Sequence, residues 1–152
     1  VLEYNHLLGR EFVYGSTDCL AVLRDFYSEN FGLEFPNFAR PVEFWKEPAI
    51  NLYPKLVHKV GFRILECHPT FYRPADLILM AFRSSVPNHA AVFVENGKIL
   101  HHFIGARSTV EPYSGMWRNA TLGVYRHQGI NYQPIRTVVQ LKDVPIGPSA
   151  VS

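Results

Sequence analysis

Charge is scarce in this chain. Only 18% of its 152 residues are Asp, Glu, Lys or Arg, and the formal net charge is +2. No Lys/Arg cluster of the kind that follows phosphates is present, which argues against a nucleic-acid partner. Long apolar runs are missing as well. Nothing approaches the ~18 consecutive apolar residues of a spanning helix, so no membrane span is expected. Cysteine is reduced to Cys19 and Cys67. One bridge would be a minor staple at this length, and both are expected as free thiols folded in a reducing compartment. Cys67-His68, with His101 and His102 as further ligands, lacks the tight paired spacing of a structural zinc site. Neither metal nor organic cofactor is expected. There is no G-x-S-x-G motif for Ser-His-Asp chemistry and no internal repeat. The opening Val1-Leu2-Glu3-Tyr4 has neither the basic nor the apolar region of a signal peptide. Without an initiator methionine, it fits a processed product or part of a longer chain.

What remains is apolar and aromatic. Hydrophobic residues make up 47%, with eleven Phe, eight Tyr and two Trp, enough for one domain with a real core. Residues 1–8 read as a short helix or arm. Gly9 to Thr17 reads as a loop. Leu20, Leu23, Phe26 and Tyr27 recur at helical spacing, predicting a helix from Cys19 to about Asn30 with Gly32 as its stop. Ser16 or Thr17 can cap its start, and Asp18 is read as a capping or surface residue ahead of a mechanistic acid. A helical turn is expected at 42–46. A second helix is predicted from Asn51, as cap, to Val60, stopped by Gly61, with Leu52, Leu56, Val57 and Val60 as its apolar stripe. The period then changes. Residues 62–66, 76–82, 90–95, 98–103 and 122–126 are short runs rich in branched and aromatic side chains, predicting strands. Ser108-x-x-Glu111 has the form of a capping box, with Pro112 near the start of a short helix to Trp117. Residues 128–152 read as an extended tail after a domain at 1–127. Helices first and a meander of antiparallel strands afterwards make an α+β layout.

Cys19 carries the chemistry. A thiol in the first turn of a helix meets free backbone N–H groups and the positive end of the dipole, which favour the nucleophilic thiolate. His89 and His101 lie on adjacent predicted strands joined at Asn96-Gly97, a two-residue hairpin signal. That turn sets His101 opposite Val92, three residues from His89, so the rings meet only with help from twist or a bulge. His102 is the rival, pointing to the other face.

Four stretches together resemble the NlpC/P60 family of cell-wall cysteine peptidases. Gly9-Arg10-Glu11-Phe12-Val13-Tyr14-Gly15-Ser16-Thr17-Asp18-Cys19 resembles the entry to that family's nucleophile helix. Pro74-Ala75-Asp76-Leu77 resembles its P-G-D-L strand. His89-Ala90-Ala91-Val92-Phe93-Val94 resembles the strand with the catalytic histidine, and Asn96-Gly97-Lys98-Ile99-Leu100-His101 the strand with the orienting residue. Asp18-Cys19-Leu20, His101-His102, the Ser108…Glu111-Pro112-Tyr113…Trp117 stretch and Tyr125-Arg126-His127 point to the phage tail-assembly branch.

The resemblance implies a papain-like α+β core and hydrolysis of an amide in the peptidoglycan stem peptide. Cys19 would attack, His89 would serve as base and then acid, and His101 would hold the His89 ring. Backbone N–H groups at the helix start would bind the oxyanion. Implied partners are peptidoglycan stem peptides and other phage tail-tip proteins, with the virion tail as location after synthesis in the host cytoplasm. Two departures stand out. Phe12 replaces a tyrosine common in the family, and Leu20-Ala21 replaces its small Ser-Gly pair. They leave open a second expectation, a structural tail-tip plug or assembly module with weak or lost activity. A transferase or amidase on the same fold is a third.

Overall fold

The computed structural model describes residues 1–40, 43–47 and 51–130. Helix α1 spans Cys19–Phe31. Its apolar positions Leu20, Leu23, Phe26 and Tyr27 are all buried, as their spacing predicts. Gly32 stops it in the left-handed region, at φ 66°, where a residue without Cβ carries little strain. The cap is Asp18, not Ser16 or Thr17: its side chain accepts from the Ala21 N–H. Gly15, at φ 75°, turns the chain so that its own N–H also reaches Asp18.

Helix α2 spans Leu52–Val60 and ends at Gly61. Asn51 occupies the cap position but its side chain makes no capping bond. The buried residues of α2 are Tyr53, Leu56 and Val57. Tyr53 thus takes a place that the predicted stripe gives to Leu52 and Val60. Before α2, a 3-10 turn covers Phe44–Lys46. Near the N-terminus another covers Asn5–Leu7.

Six strands follow: β1 Phe62–Ile64, β2 Leu77–Met80, β3 His89–Phe93, β4 Lys98–His101, β5 Thr109–Pro112 and β6 Thr121–His127. They form one antiparallel sheet in the order β1-β6-β2-β3-β4-β5. Helix α3, Gly115–Ala120, joins β5 to β6. The capping-box reading of Ser108 to Glu111 is therefore overturned. The segment is an edge strand pairing with β4, and Ser108 instead donates to the Leu7 carbonyl.

The sheet has a packed cluster on each face. Leu77, Leu79, Ala90, Val92 and Leu100 join α1 and α2 in the larger one. Ile78, Met80, Ala91, Phe93 and Ile99 form the other, against Tyr113 and Trp117. The alternation along β2, β3 and β4 follows the period-two geometry of strands. The predicted tail falls, from residue 131 onward, outside the described residues.

Candidate active site

Three adjacent strands place the histidines. Past the end of β3, the Val94 N–H still donates to the Lys98 carbonyl at 2.9 Å, so the turn closes over three residues, Glu95–Gly97, and not the predicted two. The extra residue changes the parity of the pairing. His101 lies opposite Ala91, not Val92, and so shares a face with His89, its diagonal neighbour. No further twist or bulge is needed. His89 Nε2 and His101 Nδ1 are 2.9 Å apart. The same diagonal continues onto β5, where His101 pairs with Thr109 and Glu111 lies two residues along. Glu111 Oε2 is 2.8 Å from His101 Nε2.

His102 takes no part in this row. It faces away, donates from Nε2 to the Ala106 carbonyl at 3.0 Å and meets the Phe12 ring edge-on at 5.0 Å. Phe82, Phe103 and Trp117 pack around His89. Burial holds the His89 pKa well below its ordinary 6.5, with His101 and His102 adding to the effect. Burial also lowers His101, against an opposing pull from Glu111. Both rings are neutral at pH 7 and able to act as bases.

Cys19 stands at the first position of α1 with 6% of its surface exposed. Asp18 caps the Ala21 N–H. The N–H groups of Cys19 and Leu20, in the first turn, have no partner within the helix itself. The sulfur's side-chain partner is Tyr53, whose hydroxyl lies 3.0 Å away. No hydrogen bond joins it to the His89 ring among the described residues. The helix start favours a thiolate in principle, but here burial wins and pushes the thiol up to about 11. Tyr53, a backbone bond from Ala90 and the Arg40 charge all pull the other way without reversing it, while Asp18 adds to the rise. The resting pair is thus a neutral thiol and a neutral imidazole.

Cys19 and His89 line one cavity of about 680 Å³, together with Phe12, Tyr14, Trp45 and Phe103. Its walls are mostly apolar, as in ligand-binding clefts. Arg40 also lines the cavity and holds Asp18 in a buried pair at 2.6 and 3.1 Å. Cys67 is exposed and unbridged, and the described residues contain no group of His, Cys, Asp and Glu suited to a metal.

Of the residues singled out from the sequence, His89 and His101 meet and Cys19 shares the cavity with His89; Tyr53, Glu111 and Arg40 are not read there as neighbours of the site. For Glu111 a signal was present: Thr109-Val110 is a β-branched pair typical of strands, overshadowed by the capping-box pattern. For Tyr53 and Arg40 no local signal existed.

The sequence model of the NlpC/P60 family matches residues 9–126. The chain is 37% identical over 123 residues to the tail tip assembly protein K of Escherichia phage lambda, covering 81% of this chain and 60% of that protein. It is 28% identical over 125 residues to the protein of the same name from Escherichia phage N15, covering 82% and 50%. This chain therefore spans little more than half the length of those relatives. A crystal structure of an NLP/P60-family protein similar to lipoprotein, from Staphylococcus aureus subsp. aureus Mu50, superposes with a TM-score of 0.55 at 17% identity, over 80% of this chain and 38% of that one.

Proposed function

The chain belongs to the NlpC/P60 family, and from that membership we propose that it is a cysteine endopeptidase that hydrolyses an amide of the peptidoglycan stem peptide at the tip of a phage tail. One observation carries the reading. His89, held 2.9 Å from the buried His101, lines the same cavity as a cysteine at a helix start. A nucleophile, a base and an orienter of that base are what thiol hydrolysis requires.

The reaction runs from the neutral pair. The Cys19 proton passes to His89 Nδ1 as Sγ bonds to the scissile carbonyl carbon. The oxygen gains negative charge, met by the free N–H groups at the start of α1. As the tetrahedral adduct collapses, the C–N bond breaks and His89 returns the proton to the leaving amine. A water, deprotonated by His89, then cleaves the thioester and frees the acid and the thiol. For the first transfer, the S–H turns to the His89 ring while Sγ keeps its contact with the Tyr53 hydroxyl, an adjustment that substrate binding commonly brings about. The names of the lambda and N15 relatives support a place in the virion tail with other tail-tip proteins as neighbours.

Purified muropeptides incubated with the protein test this reading. Mass spectrometry should show each substrate replaced by two products that together carry one added water, and none with Cys19→Ala. Intact substrate in both reactions overturns it. A second reading, an assembly module without turnover, draws support from the Tyr53-bound, protonated sulfur. It requires Cys19→Ala phage to assemble tails and infect as wild type does.

A further inference from the structure

Glu111 adds a link beyond the histidine pair that the mechanism above does not use. Its Oε2 meets His101 Nε2 at 2.8 Å. Its Oε1 accepts the indole N–H of Trp117, also at 2.8 Å. The Trp117 ring stands edge-on to His101 with centroids 4.4 Å apart, so one side chain both fixes the carboxylate and covers the imidazole.

Donor and acceptor roles follow in sequence. A carboxylate only accepts, so the His101 proton sits on Nε2. A neutral imidazole has a single N–H, which leaves His101 Nδ1 as a lone pair. That lone pair faces His89 Nε2, and the 2.9 Å contact then requires the His89 proton to be on Nε2. The bare nitrogen of His89 is therefore Nδ1, the one left over to take a proton from the thiol. We propose that Glu111, held by Trp117, is a positioning residue that sets the tautomer of both histidines and keeps the basic lone pair of His89 on Nδ1. Its use in catalysis rests on the peptidase reading; the tautomer does not. When His89 becomes imidazolium, the Glu111 charge offsets it through His101 without itself accepting a proton.

Substitutions separate this role from a structural one. Glu111→Met removes both acceptors at similar volume. His101 is then free to carry its proton on Nδ1 and donate it to His89 Nε2, which moves the His89 proton to Nδ1 and silences the base. Glu111→Gln keeps one acceptor oxygen for two donors, His101 and Trp117, and should fall between.

Long-range proton–nitrogen correlation spectra of the uniformly labelled chain at neutral pH read the tautomers directly. The expected wild-type result is N–H on Nε2 and a bare Nδ1 for both His89 and His101. In Glu111→Met the opposite tautomer should become detectable at both rings, with Glu111→Gln partly restored. On muropeptides, kcat should fall roughly ten- to hundredfold in Glu111→Met, no more than the low end of the 10²–10⁴ that a general base supplies, with KM little changed. A wild-type His89 proton on Nδ1 overturns the proposal, whatever the variants do. So do unchanged tautomers in Glu111→Met. Expected tautomers without any wild-type cleavage would instead overturn the peptidase reading and leave the Glu111 assignment standing.

Discussion

The hydroxyl of Tyr53, on α2, lies 3.0 Å from the sulfur of Cys19, on α1. Phe12 leaves the cavity without the phenol that family resemblance leads one to expect there, and Tyr53 brings one to the nucleophile from elsewhere in the chain. A phenol is the stronger donor of the two, so the bond stabilises the thiolate as it forms. Hydrogen bonds to a charged partner contribute ~1.5–3 kcal/mol. Tyr53→Phe should therefore raise the thiol further above 11 and slow muropeptide cleavage roughly ten- to hundredfold. Thiolate absorbance against pH, in a Cys67→Ser background, reads the first effect and steady-state kinetics the second. A faster variant would mean that Tyr53 restrains the sulfur instead of activating it.

The buried thiol also reverses a common test of cysteine reactivity. With a pKa of about 11, only roughly one resting sulfur in 10⁴ is ionised at pH 7, and Cys19 is buried while Cys67 is exposed. Iodoacetamide should modify Cys67 first, by a factor of ten or more in rate, as followed by peptide mass mapping. Cys19 labelling should rise steeply toward alkaline pH. Preferential labelling of Cys19 at pH 7 would show that the sulfur spends much of its time ionised and outside the position seen here.

Much of this site was legible because the chemistry sits at element boundaries that local sequence controls. Cys19 follows a capping residue and precedes a helical stripe. His89 begins a strand. The fold class and five of the six strands follow from the change of hydrophobic period near Gly61. What escaped depends on long-range geometry. One extra residue in the β3–β4 loop decided which face His101 occupies, and Asn96-Gly97 alone does not distinguish a two-residue from a three-residue connection. Glu111 looked like a helix cap because Ser-x-x-Glu is shared by caps and, by chance, by an edge strand. Tyr53 and Arg40 reach the site from segments whose packing no local pattern encodes.

Arg40 and Asp18, the residue before the nucleophile, form a buried ion pair. Arg40 binds both carboxylate oxygens and anchors to the Phe38 carbonyl and the Asn37 side chain. Asp18 in turn accepts from Gly15 and Ala21, so the pair ties the entry loop to the helix start. Removing one partner strands a buried charge, which typically costs ~3–5 kcal/mol. Arg40→Met should lower unfolding stability by about that amount in urea titrations. Asp18→Asn combined with Arg40→Met should recover a large part of the loss, because the stranded charge is gone. Equal losses in the single and double variants would refute the coupling.

Acid should weaken the fold through the histidine row. His89 is held well below its ordinary pKa of 6.5, and His101 is lowered too, in both cases chiefly by burial. The unfolded chain therefore binds protons that the folded chain refuses. Stability from these groups is fully present above the unfolded value of about 6.5 and is lost as pH falls below it. Each pH unit of descent costs up to about 1.4 kcal/mol for a histidine that stays neutral in the fold. Urea midpoints should be flat from pH 8 to about 7 and fall between about 6.5 and 5. His89→Leu removes the steepest contributor, and its stability curve should be shallower over that interval even where its absolute stability is lower. The slope carries the information, because repacking around residue 89 shifts the whole curve but does not titrate. A His89→Leu slope equal to that of wild type would mean that the acid sensitivity belongs to other groups.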